Sequence, residues 1–250
     1  MRDVFIAAGL RTPIAHRGGA LAHVLPEELG ARVIRAMLRH LGLGGEALSG
    51  VLAGNAVGTG GNITRLMALR AGLPEEVPSC TVDMQCASAA AAISLAAAKI
   101  ASGQGECFLA GGMESASLQP LRVYDARDPR RTLVPNGAYR TAQFSPGELA
   151  EDAMLRGAER VMQQEAVTRA ELDAAVLRSH RLAATAWREG LLDDVVLPLP
   201  ECARDTGIRP HLTQRLLDRL PPHFGPGTLL LSHIHIRRCR RLVESTSRST

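Results

Sequence analysis

Aromatic side chains are scarce in this chain of 250 residues, which has one Trp, two Tyr and four Phe. With so few rings to stack on bases, and no basic stripe in the body of the chain, nucleic-acid binding is not expected. No apolar run approaches the roughly 18 residues of a membrane span, so we expect a soluble, cytoplasmic protein without membrane contact. Five cysteines at irregular spacings do not make a disulfide framework, and reduced thiols are expected.

Lysine is almost absent as well, since Lys99 is the only lysine among 29 basic residues. The net charge of +4 is accounted for by the C-terminal end of the chain, where five arginines stand against one glutamate. These residues are Arg237, Arg238, Arg240, Arg241, Arg248 and Glu244. A basic tail is compatible with an anionic partner, but a solvated tail is the simpler interpretation.

Short apolar segments alternate with helical patterns along most of the chain. The segments that predict strands are 3–9, 48–58, 77–85, 106–112 and 195–200. The segments that predict helices are 26–42, 62–72, 87–102, 147–165 and 169–189, the last with Thr168 and Glu171 in capping-box spacing. This alternation predicts an α/β layer with helices on the sheet faces, and an irregular excursion at 118–147.

Cys86 stands at the head of the Ala-rich predicted helix. The N–H groups and the positive dipole at a helix N-terminus favour a thiolate over a thiol. The small side chains after Cys86 let a backbone and a ligand approach closely, and a helix of this composition is expected to pack on every side. Cys86 is therefore a candidate nucleophile for covalent catalysis. A small core residue is the commoner role of a free cysteine, and the residues alone leave both interpretations open.

Four segments of the chain form a pattern, in the order "GLRTPI", "GTGGNITRLMALRAGLP", "TVDMQCASAAAAI" and "FLAGGMESAS". Together they resemble the N-terminal half of a thiolase, the family that makes or cleaves β-ketoacyl-CoA thioesters. The resemblance runs from residue 3 to about residue 227. It implies a thiolase-like N-terminal domain at 1–227, with a mixed five-stranded sheet, helices on both faces and a loop region at 118–147.

The resemblance also implies a function, acyl transfer between CoA thioesters in fatty-acid metabolism. Cys86 would be the acylated nucleophile, and its backbone N–H would donate one oxyanion contact. Coenzyme A is implied as a co-substrate, with no permanently bound cofactor. Members of the family are at least dimers, so a homo-oligomer is expected. A non-catalytic remnant of the fold, or a binding or partner subunit, is the alternative.

The chain departs from the family pattern at several places. Asp83 stands where asparagine is common, and "AQFSPGELAED" lacks the histidine usual ahead of the next helix, so the CoA-contacting residues are left unassigned. The Asn-Glu, Gly-His-Pro and second-cysteine motifs of the family's second half do not occur in this sequence. Residues 228–250 contain no Ala, Gly or Asp and are expected to be a non-homologous, disordered basic tail, as in a truncated or frame-shifted product.

Weaker signals have simpler interpretations. "NAVGTGGNI" lacks the full dinucleotide-binding spacing, so its glycines are interpreted as turn residues. Three residues near the C-terminal end are candidate zinc ligands, but a fourth ligand is lacking, and no metal site is predicted. Glu114 is interpreted either as orienting a nearby loop or as part of a structural salt bridge. The zinc candidates are His233, His235 and Cys239, and the cysteines interpreted as core or loop thiols are Cys80, Cys107 and Cys202.

Overall fold

The computed structural model describes residues 2–140, 143, 146 and 152–225. The chain divides into two units, each with its own internal packing. Among the described residues, the first unit comprises 2–121 and 194–207, and the second comprises those from 122 to 193 and from 208 to 225. The tail proposed at 228–250 lies outside the described residues, so its disorder stays a prediction.

The first unit is built on a parallel sheet of three strands in the order β2-β1-β3. The strands are β1 (Gly50–Gly54), β2 (Ser79–Val82) and β3 (Phe108–Gly112). Helices connect them, because parallel neighbours need a crossover. The helices are α1 (Pro26–Leu41) before β1, α2 (Ile63–Ala71) between β1 and β2, and α3 (Ser88–Ala101) between β2 and β3.

The helices cover both faces of the central strand β1. Side chains alternate between the two faces of a strand, so Val51 and Ala53 lie on one face and Leu52 on the other. Val51 and Ala53 belong to the cluster that includes side chains of α1 and α2, and Leu52 packs with Ala92 and Ala96 of α3. The predicted α/β layer with helices on both faces is therefore confirmed.

The ends of α1 and α2 lie where the sequence predicts them. Pro26 occupies the first turn of α1, and Gly42 ends the helix in the left-handed conformation with φ of 64°. The side chain of Asn62 caps the N-terminus of α2, and Gly72 ends that helix with φ of 85°. Each glycine occupies a conformation in which a side chain would be strained.

The expectation of a mixed five-stranded sheet is wrong for the described residues. Segment 3–9 forms no strand, and its Phe5 and Ile6 are 83% and 86% exposed. Segment 195–200 contributes only an isolated bridge between Arg11 and Val196, and another between Leu199 and Cys202. An apolar run indicates a preference for burial, but a strand forms only where a neighbouring backbone is in register to bond it.

The expectation that α3 packs on every side is also wrong. Ala92 and Ala96 are buried against the sheet, whereas Ile93 and Leu95 on the same helix are 47% and 46% exposed. A sheet can cover only one side of a helix that lies on its face, and a second layer is needed to cover the other. The outer side of α3 is therefore a half-exposed apolar surface in the first unit.

Where the structure describes it, the second unit contains an antiparallel ribbon and three α-helices. The ribbon pairs β4 (Arg122–Val123) with β5 (Ala138–Tyr139) inside the predicted excursion. The helices are α4 (Ala153–Gln164), α5 (Arg169–Arg188) and α6 (Gln214–Asp218). The predicted capping box is confirmed, because Thr168 accepts from the Glu171 N–H and the Glu171 side chain accepts from the Thr168 N–H. None of the described helices has the length and apolar character needed to cross a membrane.

Candidate functional site

Residues 83–87 form a tight turn, here called the elbow, between the end of β2 and the start of α3, and Cys86 lies on it. Gln85, the residue before it, has a left-handed φ of 52°, which is uncommon for a residue with a side chain. The Asp83 carboxylate accepts the Gln85 N–H at 2.9 Å. The Ser88 hydroxyl accepts the Met84 N–H at 2.8 Å and donates to the Gln85 carbonyl at 2.6 Å. Three hydrogen bonds thus hold the strained residue beside the cysteine.

The bond made by Asp83 explains how this chain tolerates its departure from the family pattern. An Asx turn needs one side-chain oxygen that accepts the N–H two residues on. Aspartate and asparagine both supply that oxygen, so the substitution preserves the geometry of the elbow. The difference that remains is the negative charge of Asp83, three residues before Cys86.

The elbow rises from the edge where the carboxyl ends of the three parallel strands meet. Asn55 follows β1, and its N–H donates to the Val82 carbonyl of β2 at 3.1 Å. Its side-chain amide donates to the Met113 carbonyl, just past β3, at 2.9 Å. Met113 in turn donates its N–H to the Gly54 carbonyl at 3.0 Å. The strand ends are therefore tied together at the edge of the sheet where open α/β folds bind their ligands.

Two glycines let the first turn of α3 lie directly on the strands. A Cβ on Gly54 would lie 2.6 Å from Ser88 Cβ and 2.7 Å from the Ala89 nitrogen. A Cβ on Gly112 would lie 3.2 Å from Ala89 Cβ and 3.0 Å from the Gly54 carbonyl oxygen. Because backbone meets backbone here, the start of α3, and with it the elbow, is fixed relative to the sheet.

The described cysteines differ in accessibility. Cys86 and Cys80 are exposed, Cys107 is intermediate and Cys202 is buried. Cys80 is exposed and lies on β2, so its interpretation as a core or loop thiol is wrong, whereas Cys202 packs in a small core with Leu199. An exposed thiol on a fixed elbow can meet a reagent or a substrate.

We expect iodoacetamide at neutral pH to label Cys86 about two- to fivefold faster than Cys80. Cys86 lies two residues before α3, and a helix N-terminus stabilises a nearby negative charge by roughly 0.3–1 kcal/mol, which is a factor of about two to five. Cys80 is the internal control, because it is exposed but lies within a strand. Peptide mapping of the alkylated protein measures both rates, and equal or slower labelling of Cys86 would contradict the assignment.

Glu114 takes the first of its two predicted roles, that of orienting a loop. Its carboxylate accepts hydrogen bonds from the backbone N–H groups of Ala56 and Val57, in the turn after β1. The glycines of this loop adopt turn conformations, with φ of 82° at Gly60 and 71° at Gly61. The loop is therefore held by a side chain that follows the neighbouring strand β3.

Sequence reasoning missed two residues of this site, Asn55 and Ser88. Each had a weak signal: Asn55 follows a buried strand directly, and Ser88 stands two residues after the cysteine. No group of three or more His, Cys, Asp or Glu side chains suited to a metal ion occurs within the described ranges. The zinc candidates His233, His235 and Cys239 lie outside those ranges.

Comparisons with known proteins agree with the motifs. The sequence profile of the thiolase N-terminal domain matches residues 4–229. A protein of Staphylococcus haemolyticus named "Putative acetyl-CoA C-acetyltransferase VraB" is 32% identical over 237 residues, which cover 93% of this chain and 62% of that protein. A protein of Staphylococcus aureus strain MRSA252 with the same name is 31% identical over 233 residues, covering 92% and 61%.

Solved structures give the same result. The crystal structure of the Bacillus anthracis acetyl-CoA acetyltransferase matches with a TM-score of 0.77 at 30% identity, and the match covers 91% of this chain and 60% of that one. This chain thus spans about three fifths of the length of the relatives it matches. The thiolase-like α/β fold predicted from the motifs is confirmed, and the chain belongs to the thiolase family.

Proposed function

We propose that this chain carries the acyl-accepting nucleophile of a thiolase-type acyltransferase, and that the nucleophile is Cys86. The observation that carries the proposal is the exposed Cys86 thiol on a hydrogen-bonded elbow, at the carboxyl edge of the sheet and two residues before α3. Family membership and relatives named as acetyl-CoA acetyltransferases support it.

The proposed step is a thioester exchange. The sulfur of Cys86 attacks the carbonyl carbon of an acyl-CoA, and a new carbon–sulfur bond forms as the bond to the CoA sulfur breaks. The proton of the Cys86 thiol leaves with the released CoA thiol, so no oxidant or metal is required. The backbone N–H of Cys86 donates one contact to the oxyanion of the intermediate.

The proposal includes the setting of the reaction. Coenzyme A is a co-substrate of the exchange and is released from it, so it is not a resident cofactor. The working form is a homo-oligomer in the cytoplasm, acting in fatty-acid metabolism. These points come from the resemblance to the family and are proposals for this chain.

One observation favours a second candidate, a non-catalytic subunit that binds a partner. The outer side of α3 leaves Ile93 and Leu95 about half exposed, and such an apolar surface suits a partner protein. The two candidates differ in the chemistry of Cys86. A binding subunit needs no reactive thiol, whereas the acyltransferase must accept an acyl group there.

Intact mass spectrometry after incubation with acetyl-CoA tests the proposal. The wild-type chain is expected to gain one acetyl group, and Cys86→Ser is expected to gain none, because a serine hydroxyl is a far weaker nucleophile without a base. Cys80→Ser is the matched control and should be acetylated like the wild type, since it removes the other thiol that is exposed among the described residues. No adduct on the wild type, or an adduct that persists in Cys86→Ser, would favour the binding subunit.

A further inference from the structure

Glu114 is bonded to the turn that leaves the central strand of the sheet. It follows β3 by two residues, and its carboxylate accepts two consecutive backbone N–H groups. The Ala56 N–H donates to Oε1, and the Val57 N–H donates to Oε2 at 3.2 Å. Hydrogen bonds to an ionised carboxylate are roughly twice as strong as neutral ones. Glu114 therefore holds this turn from the neighbouring strand.

The turn held by Glu114 begins at Asn55, which ties the ends of the other two strands. Asn55 bonds Val82 through its N–H and Met113 through its side-chain amide. Gly58 lies close against Asn55 in this turn, and a Cβ at this position would collide with the side-chain oxygen of Asn55. Val82 is the last residue of β2, and the cysteine-bearing elbow begins at the next position. A chain of direct contacts thus runs from the Glu114 carboxylate to the base of the elbow.

We propose that Glu114 is a positioning residue for the Cys86 nucleophile. The inference rests on the proposed function, because it concerns the acylation of Cys86. Glu114 acts through the turn at 55–58 and the end of β2, and the thiol itself does the chemistry. Covalent attack needs the reacting atoms aligned about 3–3.5 Å apart, and a misplacement of about 1 Å costs on the order of 10²-fold in rate.

The test measures the rate of Cys86 acetylation across a range of acetyl-CoA concentrations. Glu114→Ala removes both acceptors and is expected to lower the limiting rate at least about tenfold, with an unchanged half-saturating concentration. Glu114→Gln keeps one acceptor oxygen and is expected to fall between Glu114→Ala and the wild type. Glu106→Ala is the matched control and should react like the wild type. Glu106 precedes the same strand by two residues, is 87% exposed in its side chain and pairs only loosely with Arg2 at 3.5 Å.

Five outcomes decide the inference. A wild-type chain that is not acetylated overturns the proposed function, and this inference with it. Acetylation of Glu114→Ala at the wild-type rate overturns the inference alone. Faster iodoacetamide labelling of Cys107 in the same variant would mean general loosening and would also overturn it. If Glu114→Ala does not fold, a slowed Glu114→Gln with an unchanged melting temperature supports the inference, and an unslowed one overturns it.

Discussion

The purified 250-residue chain is expected to accept an acetyl group on Cys86, yet not to convert acetoacetyl-CoA and CoA into acetyl-CoA at a measurable rate. The resemblance to thiolases implies that a second cysteine serves as the acid/base, and that Asn-Glu and His motifs hold the oxyanion. This sequence contains none of those motifs. Loss of one oxyanion donor costs about 10²–10³ in rate. A missing general acid/base costs roughly another 10²–10⁴.

The loss of the enolate absorbance of the 3-oxo group of acetoacetyl-CoA measures turnover, and intact mass measures acylation in the same sample. The matched variant is Cys86→Ala, which should lose the acyl adduct as well. Rapid thiolysis by the wild-type chain, abolished in Cys86→Ala, would contradict the prediction. That result would mean that residues of this chain supply the acid/base chemistry in a way that the family motifs do not reveal.

The helices of the first unit could be predicted because their signals are local. Pro26 and Gly42 bound α1 in the sequence, and Asn62 and Gly72 bound α2, where each residue has a conformational reason to start or end a helix. The same holds for the capping box at Thr168, which involves residues three positions apart. Local hydrogen bonds depend little on the rest of the fold, so the sequence is sufficient to place them.

The number of strands could not be predicted in the same way. Segments 3–9 and 50–54 are both apolar, yet only the second is bonded on both sides, by β2 and β3. Strand formation depends on a partner backbone that lies far away in the chain, and composition does not identify that partner. The prediction that α3 is buried on every side was wrong for a related reason. A high alanine content indicates that a helix can be packed closely, but it does not indicate how many layers cover the helix.

The candidate site shows the same division. Cys86 could be singled out from its own neighbourhood, because the strand, the cysteine and the Ala-rich helix are contiguous. The role of Asn55 could not be, since its side chain bonds Met113, which lies 58 positions away. The bond of Ser88 to Gln85 is local, but it depends on the left-handed backbone of Gln85, and nothing in that residue type predicts such a conformation. Side chains that support the elbow are visible only once the strand ends are brought together.

Gly54→Ala is expected to be one of the most damaging single-methyl substitutions in the first unit. The added Cβ would lie 2.6 Å from Ser88 Cβ and 2.7 Å from the Ala89 nitrogen, and the backbone of α3 cannot move aside as a flexible side chain would. Overpacking of this kind costs about 1–3 kcal/mol in the free energy of unfolding, and we expect the upper end of that range. Urea denaturation followed by circular dichroism measures the loss.

Gly111→Ala is the matched control for this substitution, because Gly111 lies on the neighbouring strand and a Cβ there has nothing within 4 Å. We expect it to leave stability unchanged or to raise it by up to about 1 kcal/mol, since alanine loses less backbone entropy than glycine on folding. The rates of Cys86 acetylation in the two variants also distinguish a change in the position of the elbow from a change in the sheet alone. If the first turn of α3 is seated on β1 through Gly54, then Gly54→Ala will slow Cys86 acetylation in the fraction that remains folded, and Gly111→Ala will not. Equal stability of the two variants would show that α3 can shift away from the strand, and that its contact with Gly54 does not fix the position of Cys86.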